Sequence, residues 1–233
     1  MKLGDVELEQ EILTNYSSIS EIVYNKIKNL IVTCKFQGGE RLLLNNLAHR
    51  LGVSITPIRE ALKQLEKEEL VRLIPNKGAE VVNIFIEDVV EIYDIRAALE
   101  GLAIQSLSEK VDKDFLGKLY TLYSKSENYL TKKDIISYQE YNKKFHESII
   151  TKTGNKRLIS MMNQIRDHMS IIIIKNLSLE SLEKTKDHAK EHIQILRALE
   201  ESNFDLAEKL VKTHIINAKD EILNNFTGYI KIN

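Results

Sequence analysis

Leu51-Gly52-Val53-Ser54-Ile55-Thr56-Pro57-Ile58-Arg59-Glu60-Ala61-Leu62 packs a helix end, a turn and a helix start into twelve residues. Gly52 suits the left-handed backbone that closes a helix. Ser54 or Thr56 can cap the next one, and Pro57 is tolerated only in its first turn. Ile58, Ala61, Leu62 and Leu65 then recur at i, i+3, i+4 and i+7, one apolar face of a helix whose other faces carry Arg59, Lys63, Gln64 and Lys67.

Upstream, Ile19, Ile22, Val23, Ile27, Leu30, Ile31 and Cys34 form a helical stripe that stops before Gly38-Gly39. A short helix over about 44–51 follows, with Leu47 and Ala48 inward. Downstream, residues 70–74 and 79–82 read as two strands joined by Pro75-Asn76-Lys77-Gly78. Helix, short helix, tight turn, helix and β-hairpin form the plan of a winged helix-turn-helix. In that plan the third helix fits the major groove of double-stranded DNA, and Lys77 with the amides near Gly78 can approach a phosphate or the minor groove.

Beyond residue 84 the punctuation changes. All the prolines and most of the turn-forming glycines lie before it, and long amphipathic stretches come after. We expect an extension over 1–19, a DNA-binding domain over 20–84 and an all-helical domain over 85–233. Helices are predicted over roughly 86–110, 112–131, 134–152, 155–177, 180–202 and 204–226, joined by short loops as in antiparallel bundles. The fold class is mainly α.

Composition agrees. Net charge is −1 overall, but residues 20–83 carry ten Lys/Arg against seven Asp/Glu, a mild basic balance suited to nucleic acid. Residues 1–20 lack the apolar core of a secretory signal, and the longest apolar run, Ile171–Ile174, is too short to cross a bilayer. The one cysteine, Cys34, cannot form an internal disulfide and reads as a buried, inert thiol on a helical stripe. A cytoplasmic protein without membrane contact is expected.

In the second half, three histidines fall on inward stripes of three helices. His146 sits beside Phe145 and Ile149, His192 with Ile195 and Leu199, and His214 with Val211 and Ile215. A buried imidazole needs a partner. Each could be a hydrogen-bonded core residue; together they could converge on one metal, with Asn142 and His146 at i, i+4 on one face.

The segment Gly39-Glu40-Arg41-Leu42, Leu47-Ala48 and Leu51 to Leu62 resembles the GntR family of transcription regulators, over about 60 residues. The resemblance implies that Ser54, Thr56 and Arg59, with Asn45 at the start of the second helix, contact an operator. Ile55 stands where such proteins usually carry Arg, and Asn45 replaces a more usual charged residue. Asn142 to His146, Glu191-His192 with Ala198-Leu199, His214, and Arg96 through Glu100 are similar to the FCD (FadR C-terminal) effector domain. That similarity implies a divalent metal (Zn²⁺, Ni²⁺ or Mn²⁺) held by Asn142, His146, His192 and His214, and a small organic-acid effector nearby. Arg96 is expected either to meet the effector's carboxylate or to pair with Asp94 or Glu100 on the helix exterior. Arg166 and Asn217 are further effector candidates, and His188 is an alternative ligand. The expected protein is a homodimeric regulator, a repressor, with no enzymatic activity. A metal that is structural or is itself the signal, and a metal-dependent hydrolase, are the alternatives; for the last, no His-Glu-x-x-His motif is found.

Overall fold

The computed structural model describes residues 18–175 and 182–226, with side chains from 190 onward in the second stretch. The expected extension over 1–19 therefore lies almost entirely outside the described residues, as do the side chain of His188 and the joint between the two helices expected over 155–177 and 180–202. The described chain divides into two compact units: residues up to Phe85 together with Ser170–Lys175, and Ile86–Met169 together with the residues from 182 on.

The first unit opens with α1 (Ile19–Val32), whose N-terminus is capped by Ser18 accepting from the Glu21 amide at 3.2 Å. It buries Ile22, Val23, Ile27 and Ile31. The helix ends sooner than its apolar stripe suggests. Phe36 turns back to donate to Leu30 O and is buried, and the reversal holds Cys34 at a left-handed φ of 54°. Cys34 thus lies past the helix and is only half-buried, which corrects its expected place on the stripe. Partial burial pushes its thiol above the ordinary range, in keeping with an inert group.

Next come β1 (Arg41–Leu43), α2 (Leu44–Leu51) and α3 (Ile55–Lys67). Gly52, at φ 67°, ends α2 in the expected left-handed turn. The strands β2 (Val71–Ile74) and β3 (Gly78–Val81) complete an antiparallel sheet in the order β1-β3-β2. The expected hairpin is thus a three-stranded sheet. β1 pairs Arg41 with Glu80 and Leu43 with Gly78. Only Leu42 of its three residues faces the core, too little alternation to read as a strand. Below the sheet, Ile58, Leu62 and Leu65 of α3 pack with Val23, Ile27 and Ile31, all nearly inaccessible.

The second unit is built from α4 (Ile86–Gln105), α5 (Lys113–Thr131), α6 (Ile135–Lys152), α7 (Lys156–Lys175) as far as Met169, α8 (Leu182–Glu200) and α9 (Phe204–Asn224). Asp112, Asp134 and Asn203 cap α5, α6 and α9 through side-chain oxygens that accept backbone N–H groups. The first helix is shorter than expected. After Gln105 a tight turn, Leu107 N–H to Ile104 O at 3.0 Å, brings Leu107 fully into the core. α4 lies against α9 and α6, α5 against α6 and α8, and α8 against α9. Tyr93, Ile104, Leu119, Phe145, Ile149, Ile195, Leu199, Val211 and Ile215 fill the centre.

Two glycines differ in what a side chain would meet. At Gly78, φ is 137° and an added Cβ would fall 2.0 Å from Leu42 O, so only glycine lets β3 approach β1. At Gly117, inside α5, nothing lies within 4 Å. Thermal unfolding should show Gly78→Ala losing more than about 1 kcal/mol and Gly117→Ala gaining about 0.5–1 kcal/mol. Equal shifts would contradict this sheet geometry.

Candidate nucleic-acid interface and metal centre

α3 is divided between two environments. Pro57, Ile58, Ala61, Leu62 and Leu65 are buried, while Thr56, Arg59 and Lys63 are exposed on the opposite side with Ser54 at its N-terminus. Ser54 occupies the N-cap position, yet its side chain makes no capping bond and faces solvent. The two carboxylates that could have claimed Arg59 are bonded elsewhere. Glu60 accepts from Ser20 Oγ, and Glu66 accepts from the Leu73 amide at 2.9 Å. Asn45 is exposed at the start of α2, and Lys77 is exposed in the turn between β2 and β3. Gly78 itself is buried, and its close approach to Leu42 is reason enough for a glycine there. Ile55, where an Arg is more usual, is half-buried. The structure thus brings Ser54, Thr56, Arg59 and Lys63 onto one helix face.

In the helical unit, α6, α8 and α9 bring His146, His192 and His214 together. All three are buried, and their ligand nitrogens lie within 4.8 Å of one another. The Nε2 atoms of His146 and His192 are 3.2 Å apart. Tetrahedral ligands at about 2.05 Å from zinc would stand about 3.3 Å apart. The rings of His146 and His214 stack at 5.2 Å, and Phe145 lies edge-on to His192 at 4.7 Å.

Two carboxylates orient two of these rings. His146 donates from Nδ1 to Glu100 Oε2 at 2.6 Å, and His214 from Nδ1 to Glu191 Oε2 at 2.7 Å. An ionised carboxylate only accepts, so each of these rings carries a proton on Nδ1 and turns Nε2 away from its carboxylate. Burial is the main cause that pushes His214 down to about 4, against the opposing pull of Glu191, so it is neutral at physiological pH. Burial alone would raise Glu100, but His146 and Arg96 hold it well below the usual carboxylate range.

Asn142, one turn before His146, has its Oδ1 buried with no hydrogen-bond partner among the described residues. Such an oxygen is costly to leave unmet, by about 1–3 kcal/mol. The three imidazoles, one nitrogen from each within 4.8 Å of the others, form a donor set of a kind that fits a divalent cation.

The expected effector side chains are placed differently from one another. Arg96 is buried, not on the helix exterior, and its Nε donates to Glu100 Oε1 at 2.7 Å. Asp94 instead pairs with Lys219. Arg166 pairs with Glu147 at 3.1 Å and donates to Asn163. Asn217 donates to Glu191 Oε1 at 2.5 Å, so it braces the carboxylate that braces His214. Sequence reasoning missed Glu100 and Glu191 as partners of the histidines. Their separations from His146 and His214, 46 and 23 residues, leave no local signal.

Residues 19–81 match the model of the bacterial regulatory proteins of the gntR family, and residues 91–217 match the FCD domain. A Bacillus subtilis (strain 168) protein described as an uncharacterized HTH-type transcriptional regulator, YdhC, is 30% identical over 195 residues, 82% of this chain and 85% of that protein. The Escherichia coli (strain K12) HTH-type transcriptional repressor GlaR is 26% identical over 200 residues, 83% of this chain and 90% of that one. Among solved structures, E. coli McbR/YncC superposes with a TM-score of 0.77 at 23% identity, over 91% of this chain and 100% of that chain. That likeness speaks for the fold.

Arg59→Ala should weaken binding to an operator selected from random duplexes by about 1–3 kcal/mol, about 5- to 150-fold. Fluorescence anisotropy measures it, and undiminished affinity would remove Arg59 from the interface.

Proposed function

The chain belongs to the gntR family of bacterial regulatory proteins and carries an FCD domain; from that premise we propose that this DNA-binding transcription regulator is a cytoplasmic, homodimeric repressor controlled by a small organic acid bound beside a divalent metal. Two winged heads of a dimer would meet a near-palindromic operator in adjacent major grooves. Ser54, Thr56, Arg59 and Lys63 would face bases and phosphates from α3. Asn45 and the wing, through Lys77 and the backbone at Gly78, would meet the phosphate backbone.

The observation that carries the metal reading is the buried trio of His146, His192 and His214 with the unpartnered Oδ1 of Asn142 one helical turn away. These four residues would hold the ion. When bound, it would supply a Lewis-acidic position for an effector carboxylate. Imidazole-rich sets suit Zn²⁺ and Ni²⁺, and Mn²⁺ is accommodated through the amide oxygen. Asn142 is neutral where a carboxylate would bring charge, which lowers affinity relative to an aspartate ligand.

Of the three effector candidates, Arg166 is the one we assign to the acid. It is half-buried, and its partner Glu147 is similarly half-exposed, so an incoming carboxylate can replace that pair at little cost. Arg96 and Asn217 are each engaged with a carboxylate that braces a histidine. Binding of the acid would shift the balance between two placements of the reading heads, a coupling of typically 1–3 kcal/mol. A second reading, a structural metal without an effector, is favoured by the burial of all three rings. The hydrolase alternative falls away because the family consists of transcription regulators, not enzymes.

One experiment separates the two readings. Operator binding is followed by anisotropy with the protein loaded with Zn²⁺ or stripped by chelator, and with acetate, citrate and gluconate as probes. Metal-dependent release by at least one acid, lost in His192→Ala/His214→Ala, is the expected result. Release by none of them, with metal present at one per chain, would leave the structural reading in place; no bound metal would overturn both.

A further inference from the structure

Glu100 is the only carboxylate among the described residues that is buried from solvent. It lies on α4, while the metal-ligand set comes from α6, α8 and α9. Both of its oxygens are used, each once. Oε1 accepts from Arg96 Nε at 2.7 Å, one turn earlier on the same helix. Oε2 accepts from His146 Nδ1 at 2.6 Å. Arg96 is itself buried, with its guanidinium 5.5 Å from the centre of the Tyr93 ring. Two buried side chains on α4 thus fix the orientation of a third on α6.

A charged pair in such a place is expensive to desolvate, and hydrophobic residues of the same volume would often serve stability as well. A helix seam held only for packing gains little from Arg and Glu. A ring that must present one particular nitrogen gains a great deal. A carboxylate on the far nitrogen of a ligating imidazole sets its tautomer and its ring angle, and raises its basicity. The Glu191 pair with His214 works in the same way, but Glu191 is half-exposed, whereas the Glu100 pair is sealed.

We infer that Glu100 is a positioning residue for the metal centre, turning His146 Nε2 toward the ion, and that Arg96 holds Glu100 in place. The inference rests on the metal reading of the three histidines. It assigns the buried ion pair on α4 to metal affinity, not to stability.

The test uses the full-length protein with Co²⁺ as the probe, since its visible spectrum reports ligand number and geometry. Chelator competition gives the affinity. Glu100→Gln should bind Co²⁺ about 10–100-fold more weakly than wild type, with a changed spectrum. Because that variant leaves Arg96 buried without its counter-charge, Arg96→Leu/Glu100→Gln is measured beside it. The double variant removes both charges and should stay equally weak for Co²⁺ while unfolding at or above the wild-type temperature. Wild-type affinity in either variant overturns the inference; recovery in the double variant would mean that Glu100→Gln acted only through the stranded arginine. Imidazole-nitrogen NMR of the metal-free wild type needs no variant: His146 is expected to be protonated on Nδ1, and protonation on Nε2 alone overturns the inference. A wild-type protein that binds no Co²⁺ overturns the metal reading, and this inference with it.

Discussion

Every buried imidazole has two ring nitrogens to satisfy, and one side of this helical unit has three such rings in mutual contact. That demand organises much of what surrounds them. Two nitrogens are met by carboxylates, Glu100 and Glu191, which are held in turn by Arg96 and by Asn217. One nitrogen from each ring lies within 4.8 Å of the other two. Like donors at such range repel if all are protonated, and His214 is held neutral by burial. A cation among them would convert mutual exclusion into shared coordination. The unpartnered Oδ1 of Asn142 fits the same logic, since it is an acceptor in need of a positive partner.

The reading head obeys a simpler constraint. α3 must bury one face to stay on its sheet and α1, and must leave the other polar to meet DNA. Its length, 13 residues, gives enough turns for both. Ser54, Thr56, Arg59 and Lys63 are exposed because Pro57, Ile58, Ala61, Leu62 and Leu65 take up the core positions. Ile55 is half-buried at the helix start, so the contact surface there is more apolar than in a chain with Arg at that position.

Much of this was legible in the residues themselves. Periodicity marked α3 and six helices in the second half, and Gly52 marked the turn, because those features are local. The inward stripes also placed His146, His192 and His214 correctly on core faces. What escaped was what depends on distant pairing. β1 has three residues and exists because β3 provides its partners. Cys34 left its stripe because the burial of Phe36 closes the helix early. Arg96 was expected either on a ligand or paired with Asp94 or Glu100 on the helix exterior; the Glu100 pair forms, but buried in the core. Its actual place follows from Glu100, whose other partner is 46 residues away. The asymmetry is physical: helical spacing is written in a few adjacent residues, whereas the burial of an ion pair and its bond to a distant histidine are written in the packing of two helices.

In the proposed metal centre four side chains, Asn142, His146, His192 and His214, would share one divalent cation. The most direct measurement is anomalous diffraction at the metal absorption edge from crystals of the metal-loaded protein. A single peak per chain is expected, within about 2.0–2.2 Å of the three imidazole nitrogens and of the Asn142 oxygen. A peak elsewhere, or a peak that three histidines share while the Asn142 amide turns away, would contradict it.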